Sequence, residues 1–96
     1  MYGTVARVRL LPGSLPAMNT LFQEFEDQDV PGSIGEMMFR MDEDPDEYYL
    51  VAVFDSKEAY RANADDPAQH ERYLAMRALL QSDPEWHDGE IVINSL

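Results

Sequence analysis

Tyr48 to Phe54, YYLVAVF, is an unbroken run of seven apolar or aromatic residues bounded by Glu47 and Asp55. A run of that length, rich in β-branched and aromatic side chains, suits a strand. A strand with one face on a core alternates apolar and polar residues. Here both parities are apolar: Tyr48, Leu50, Ala52 and Phe54 on one side, Tyr49, Val51 and Val53 on the other. Both faces therefore need cover. Helices from a chain of 96 residues can cover one face. The other face calls for a second copy, so the sequence predicts an obligate homodimer.

The rest of the chain supplies the helices and the neighbouring strands. YGTVARVRLL, Tyr2 to Leu11, alternates, with Thr4, Ala6, Val8 and Leu10 on one face and Val5, Arg7, Arg9 and Leu11 on the other. Pro12 and Gly13 end that strand. Ser14 is placed to cap a helix with Pro16 in its first turn. Leu15, Met18, Leu21, Phe22 and Phe25 then recur at helical spacing. Acidic residues near its C-terminal end oppose the helix dipole, and fraying is expected by about Gln28. Ser33 to Met41 forms a second strand, and the acidic stretch Asp42 to Glu47 turns the chain into the Tyr48 strand.

Ser56 caps a short helix through about Ala64. Asp66 and Pro67 restart it, with Gln69 placed to complete a capping box. Tyr73, Met76 and Leu80 form the core stripe of this second segment, flanked by Leu79 on one side and by His70 and Arg77 on the other. Asp88-Gly89 reads as a turn, and Glu90 to Asn94 as a last strand with Ile91 and Ile93 on one face. The order is β-α-β-β-α-β. It predicts a ferredoxin-like α+β fold: a four-stranded antiparallel sheet, helices on one face, and the second helix split in two.

Composition narrows the function by exclusion. The formal charge is −12, from 19 acidic and 7 basic residues. Such a field repels phosphate backbones and anionic lipid surfaces, so neither nucleic acid nor membrane is an expected partner. There are no cysteines, which removes disulfides and thiolate metal sites and fits a cytoplasmic protein. No secretory signal is expected, since the chain opens directly on the alternating pattern. No apolar run approaches the ~18 residues that span a bilayer. Asp42, Asp44 and Asp46 match the first spacing of a calcium loop, but Glu47 and Val53 stand where that loop needs Gly and Glu. A solvated hairpin tip is the better account.

The segments YLVAVFDSKEAYRANADDP (49–67) and DPEWHDGEIV (83–92), with the opening YGTVARVRLLPG (2–13), resemble the antibiotic biosynthesis monooxygenase family. The resemblance spans nearly the whole chain. It implies a single domain, residues 1–96, whose sheet pairs with a second copy in a dimeric α/β barrel. Members include cofactor-independent oxygenases of anthrones and quinols, haem-degrading enzymes, and proteins without known activity. The haem-degrading branch uses an Asn, a Trp and a His at positions that fall near Val8, at Asn63 and near Tyr73 here. None matches. The resemblance thus implies a small-molecule enzyme of the cofactor-independent monooxygenase type, acting on a quinol or polycyclic phenol with O₂. No haem, flavin or metal is expected. The alternative is a non-catalytic ligand-binding or interaction module on the same dimer.

Five residues are the candidates for that chemistry. His70, Tyr73 and Arg77 fall at i, i+3 and i+7 of one helix and can face one way. Tyr60 and Asn63 lie on the preceding helix and can border the same space. An oxygenase of this kind must hold a flat aromatic in an apolar slot and remove a phenolic proton. His70 suits the base, because an imidazole titrates near neutrality. Asn63 can hydrogen-bond a substrate oxygen, and Arg77 can stabilise the anion that forms. The competing structural account makes Tyr73 core, His70 a half-exposed helix residue and Arg77 a surface ion-pair partner. Met18, Met37, Met38, Met41 and Met76 can line an adaptable pocket or simply fill a core. Trp86 can stack on a substrate or plug the end of the sheet, and His87 is expected in a loop.

Overall fold

The computed structural model describes residues 1–96. Strands β1 (Tyr2–Arg9), β2 (Ser33–Arg40), β3 (Glu47–Phe54) and β4 (Glu85–Glu90) form one antiparallel sheet in the order β2-β3-β1-β4. Helices α1 (Leu15–Asp27), α2 (Lys57–Asp65) and α3 (Pro67–Arg77) lie on one face of it. The ferredoxin-like order, the split second helix and the central place of the Tyr48–Phe54 run all agree with the sequence reading.

The two parities of β1 and β3 are sorted as their chemistry requires. Thr4, Ala6, Val8, Tyr48, Leu50 and Phe54 are buried beneath the helices. Val5 and, from β2, Met37 and Phe39 lie on the opposite face and are 45%, 44% and 52% exposed. The core proper is Ala6, Val8, Leu10, Met18, Tyr48, Leu50 and Leu80, with Phe22, Met38, Met76 and Leu79 packed against it. It is closed at one end by the bridge between Leu10 and Leu80. At the other end of the sheet the helices stand off from the strands and leave a cavity.

Local signals explain the helix starts. Ser56 Oγ accepts from the Ala59 amide at 3.1 Å, and Asp66 Oδ1 accepts from the Ala68 amide at 2.9 Å. Each satisfies a first-turn donor that has no partner within its helix. Ser14 departs from expectation. Its hydroxyl donates to Leu11 O at 2.7 Å, so it tightens the turn before α1 and caps no amide. Gly32 occupies the left-handed region at φ 78°, and a Cβ there would lie 2.5 Å from Ala59 Cβ. Glycine is thus needed at Gly32 both for the turn and for the approach of α2.

The last strand is the main correction. The sequence places it at Glu90 to Asn94, but β4 is Glu85–Glu90, and its register runs from Tyr2 opposite Glu90 to Arg7 opposite Glu85. The alternation of Ile91 and Ile93 suggested a half-buried strand. The segment that pairs is an edge strand whose six residues are all exposed, so it needs no apolar pattern. The Asp88-Gly89 turn signal yields to the sheet, where Gly89 sits opposite Gly3. His87 is consequently a strand residue on the outer face, 3.1 Å from Glu85 Oε1. Trp86 and Asp88 point the other way, under the helices.

Candidate functional site

The cavity between the helices and the sheet has a volume of about 460 Å³, the size of a small-molecule site. Its floor is the inner face of β3, Leu50, Ala52 and Phe54. Its roof is the apolar stripe of α1, with Phe22 and Phe25, joined by Tyr73 and Met76 of α3. Trp86 closes the β4 side and approaches Tyr73 with ring centroids 6.5 Å apart. Flat aromatic surfaces above and beside an apolar floor favour a flat apolar ligand.

Four of the five sequence candidates border this space: Tyr60, Asn63, His70 and Tyr73. His70 is exposed and stands at the mouth. Arg77 is not at the cavity. It shares the angular position of His70 but lies about 10 Å further along the helix at 1.5 Å per residue. Its Nε pairs with Asp83 Oδ1 at 2.8 Å and its Nη1 donates to Leu80 O at 3.1 Å, so it braces the end of α3.

A different arginine reaches the site. Arg72 donates from Nε to Gln69 Oε1 at 2.9 Å, from Nη2 to Asn63 Oδ1 at 3.1 Å, and from Nη1 to Gln28 Oε1. Its guanidinium lies 5.3 Å from the centroid of the Phe25 ring. All three acceptors are neutral amides, so the positive charge is held in place without being neutralised. Of five N–H donors, this leaves two uncommitted. Asn63, oriented through its oxygen, keeps its amide N–H groups for a ligand. Gln69 serves this network in place of the expected capping box. The sequence signal for Arg72 is one turn of helix, Gln69 to Arg72, but its contact with Gln28 spans 44 residues and is invisible in the chain.

Tyr60 lies one turn before Asn63 on α2 and reaches toward β4. Its hydroxyl donates to Asp88 Oδ1 at 2.8 Å, and its ring packs edge-on to Phe54 with centroids 5.5 Å apart. Burial, followed by the bond to Asp88, pushes its pKa up to about 12. The phenol is therefore a fixed donor and not a resting base.

Glu36 is the residue the sequence reading passed over. It lies on the inner face of β2, half-buried, at the cavity wall. Burial, reinforced by the charge of Glu26, pushes its pKa up to about 7, and no ion pair or hydrogen bond opposes the shift. Its parity in SIGEMMFRM matched Met38, which packs against the core, so an inward Glu was the available clue.

The sheet, the split helix and the pocket between them define a small ferredoxin-like α+β protein with a cavity under its helices. The chain belongs to the antibiotic biosynthesis monooxygenase family, whose sequence model matches residues 1–75. Solved structures of similar fold extend the match through β4. A Chloroflexus aurantiacus J-10-fl protein, provisionally described as an antibiotic biosynthesis monooxygenase, is 25% identical, with 98% of this chain and 95% of that one aligned at a TM-score of 0.75. SnoaB, a cofactor-independent oxygenase from Streptomyces nogalater, aligns over 97% of this chain and 94% of its own at 18% identity and a TM-score of 0.79. A Nitrosomonas europaea protein, also provisionally described as a member, is 11% identical over 95% and 89% of the two chains, with a TM-score of 0.76. Among curated protein sequences none matches the chain.

Proposed function

We propose that the protein is a cofactor-independent monooxygenase of a quinol or polycyclic phenol. The observation behind this reading is the cavity itself: apolar and aromatic surfaces with a fixed guanidinium and an oriented amide at one end. The ring system lies between the floor of β3 and the roof of α1. Arg72 and Asn63 hydrogen-bond its oxygen and stabilise the anion left when the phenolic proton departs. That anion is electron-rich enough to reduce O₂. In an anthrone-type substrate a ring CH₂ forms a C–O bond to one oxygen atom, the O–O bond breaks, and the second oxygen leaves as water. The CH₂ becomes a carbonyl, so four electrons pass to O₂ and no further reductant is needed.

His70 at the mouth, Tyr73 on the roof and Tyr60 on the wall beside β4 border the ligand in this reading. An enclosed apolar cavity with His70 or Tyr60 at its wall favours an enzyme, and a core filled by methionines favours an interaction module; the cavity here is half open to solvent, with both His70 and Tyr60 on its wall. Met18 and Met76 are among the lining residues and do not fill the space.

The active form in this reading is a homodimer joined through the outer sheet face. The single chain exposes 6391 Å², about 800 Å² more than a folded monomer of its size usually shows. A standard interface removes about that area from each partner. Val92, Ile93 and Leu96, all at least 81% exposed beyond β4, add apolar surface for the same contact.

The test is O₂ uptake by the purified protein across a panel of anthrones, naphthoquinols and hydroxyanthracenes. Uptake with stoichiometric quinone formation is expected. Tight binding of the panel without uptake would leave the protein a ligand-binding module.

A further inference from the structure

The inner face of the sheet carries one cross-strand row that runs from edge to edge. Glu36 on β2 is opposite Ala52 on β3, Ala52 is opposite Thr4 on β1, and Thr4 is opposite Asp88 on β4. The row thus begins and ends in a carboxyl group and has two small residues between. At a strand spacing near 4.8 Å, its ends are about 14 Å apart between Cα atoms, which leaves room for roughly two or three fused rings. The ends differ in one respect. Asp88 is already partnered by the Tyr60 hydroxyl at 2.8 Å. Glu36 has no hydrogen bond or ion pair and faces the cavity.

We propose that Glu36 is the group that accepts the phenolic proton of the bound aromatic. The inference rests on the oxygenase reading for its consequence in turnover, but its binding chemistry stands apart from O₂. The proton passes from the ligand O–H to a Glu36 carboxylate oxygen, and the electron pair stays on the ring oxygen. When O₂ has been reduced, the same proton leaves with the departing water. A carboxyl group with a pKa near 7 holds the proton half the time at neutral pH, the balance a base needs. His70 is less suited, since it stands exposed at the mouth and bulk water competes for its proton.

Glu26 from α1 is the charge that acts on Glu36, and the other titratable or charged groups on the cavity lining are Glu24 from α1, Tyr60 from α2, His70, Arg72 and Tyr73 from α3, and Asp88 from β4. Arg72 is bound to three amides, and Tyr60 stays a neutral phenol. His70 is the one imidazole among them, so a His70→Gln background separates its contribution from that of Glu36.

The experiment compares 2-naphthol with 2-methoxynaphthalene, followed by quenching of Trp86 fluorescence from about pH 5.5 to about pH 8. The naphthol donates to the carboxylate, so its affinity should rise roughly tenfold over that range. The ether has no donor, so its affinity should stay level or fall as the carboxyl ionises. Glu36→Gln should make the naphthol profile flat, and His70→Gln should leave it rising. Equal profiles for the two probes in the wild-type protein overturn the proposal without any variant, as does a rise that persists in Glu36→Gln. In turnover, Glu36→Gln should lower kcat by about 10²–10⁴-fold on any substrate that supports O₂ uptake. If no substrate does, the oxygenase reading fails and the naphthol comparison still decides Glu36. If Glu36→Gln turns over at the wild-type rate, Glu36 is not the base and the oxygenase reading stands.

Discussion

Tyr60 Oη and Asp88 Oδ1 are 2.8 Å apart, a bond that ties α2 to the exposed edge strand β4. β4 pairs only with β1, and no residue of it is buried. Tyr60 is thus an anchor for the strand that bears Trp86.

Removing that hydroxyl should loosen the edge. Tyr60→Phe keeps the ring contacts with Phe54 and Tyr2 but leaves Asp88 without its donor. A hydrogen bond to a charged group in this setting contributes about 1–2 kcal/mol. Urea unfolding followed by circular dichroism should show a loss of that size, with faster amide exchange along β4. Unchanged exchange there would mean that the β1 pairing alone holds the strand.

Glu36 should make stability fall as pH rises. Its pKa in the folded protein is about 7, above the ordinary value of 4.5, so the native state binds the proton more tightly than the unfolded chain. This effect is absent below pH 4.5, grows between pH 4.5 and about 7, and is complete above that. Partial exposure reduces its size to on the order of 1–2 kcal/mol. Glu36→Gln should therefore match the wild type in urea melts near pH 4.5 and exceed it near pH 8. Equal stabilities at both pH values would mean that the carboxylate is solvated.

The two arginines of α3 should separate cleanly. Arg72→Met removes the cation held by Gln28, Asn63 and Gln69, and should lower kcat about 10²–10³-fold, the usual loss for one anion-stabilising donor. Arg77→Met breaks only the pair with Asp83 and the bond to Leu80 O, and should keep kcat within about threefold while costing less than ~1 kcal/mol of stability. His70→Ala, at the solvent end, should cost less than about tenfold if the base lies inside. Steady-state O₂ uptake on the three variants checks all of these. A larger loss in Arg77→Met than in Arg72→Met would reverse the assignment.

The outer sheet face should govern assembly. Val51 lies on it opposite Val5 and Met37. Val51→Glu places a charge at its centre. Light scattering at micromolar concentration should give a dimer for the wild type and a monomer for the variant. A monomeric wild type would leave an unusually large apolar patch without a partner.

The chain by itself determined the parts set by local periodicity and punctuation. The double-faced apolar run at Tyr48–Phe54 placed the central strand, and the alternation of Tyr2 to Leu11 placed its neighbour. Ser56, Asp66 and Pro67 marked the break between α2 and α3, because capping depends only on residues one turn away. The parity of Glu36 was also legible, though its meaning was not. Tertiary structure decided whatever depends on residues far apart in sequence. An edge strand needs no apolar pattern, so β4 lay at Glu85–Glu90 while Ile91 and Ile93 drew the reading past it. Helix phase put Arg77 beside His70, but only the packing showed that the cavity ends before Arg77 and that Arg72 meets Gln28. The carboxyl of Glu36 acquires its unusual pKa from burial beneath α1 and from Glu26, a neighbour ten positions earlier brought close by the fold. Periodicity reports which face a side chain takes; its electrostatic surroundings come from whatever the folded chain sets against that face.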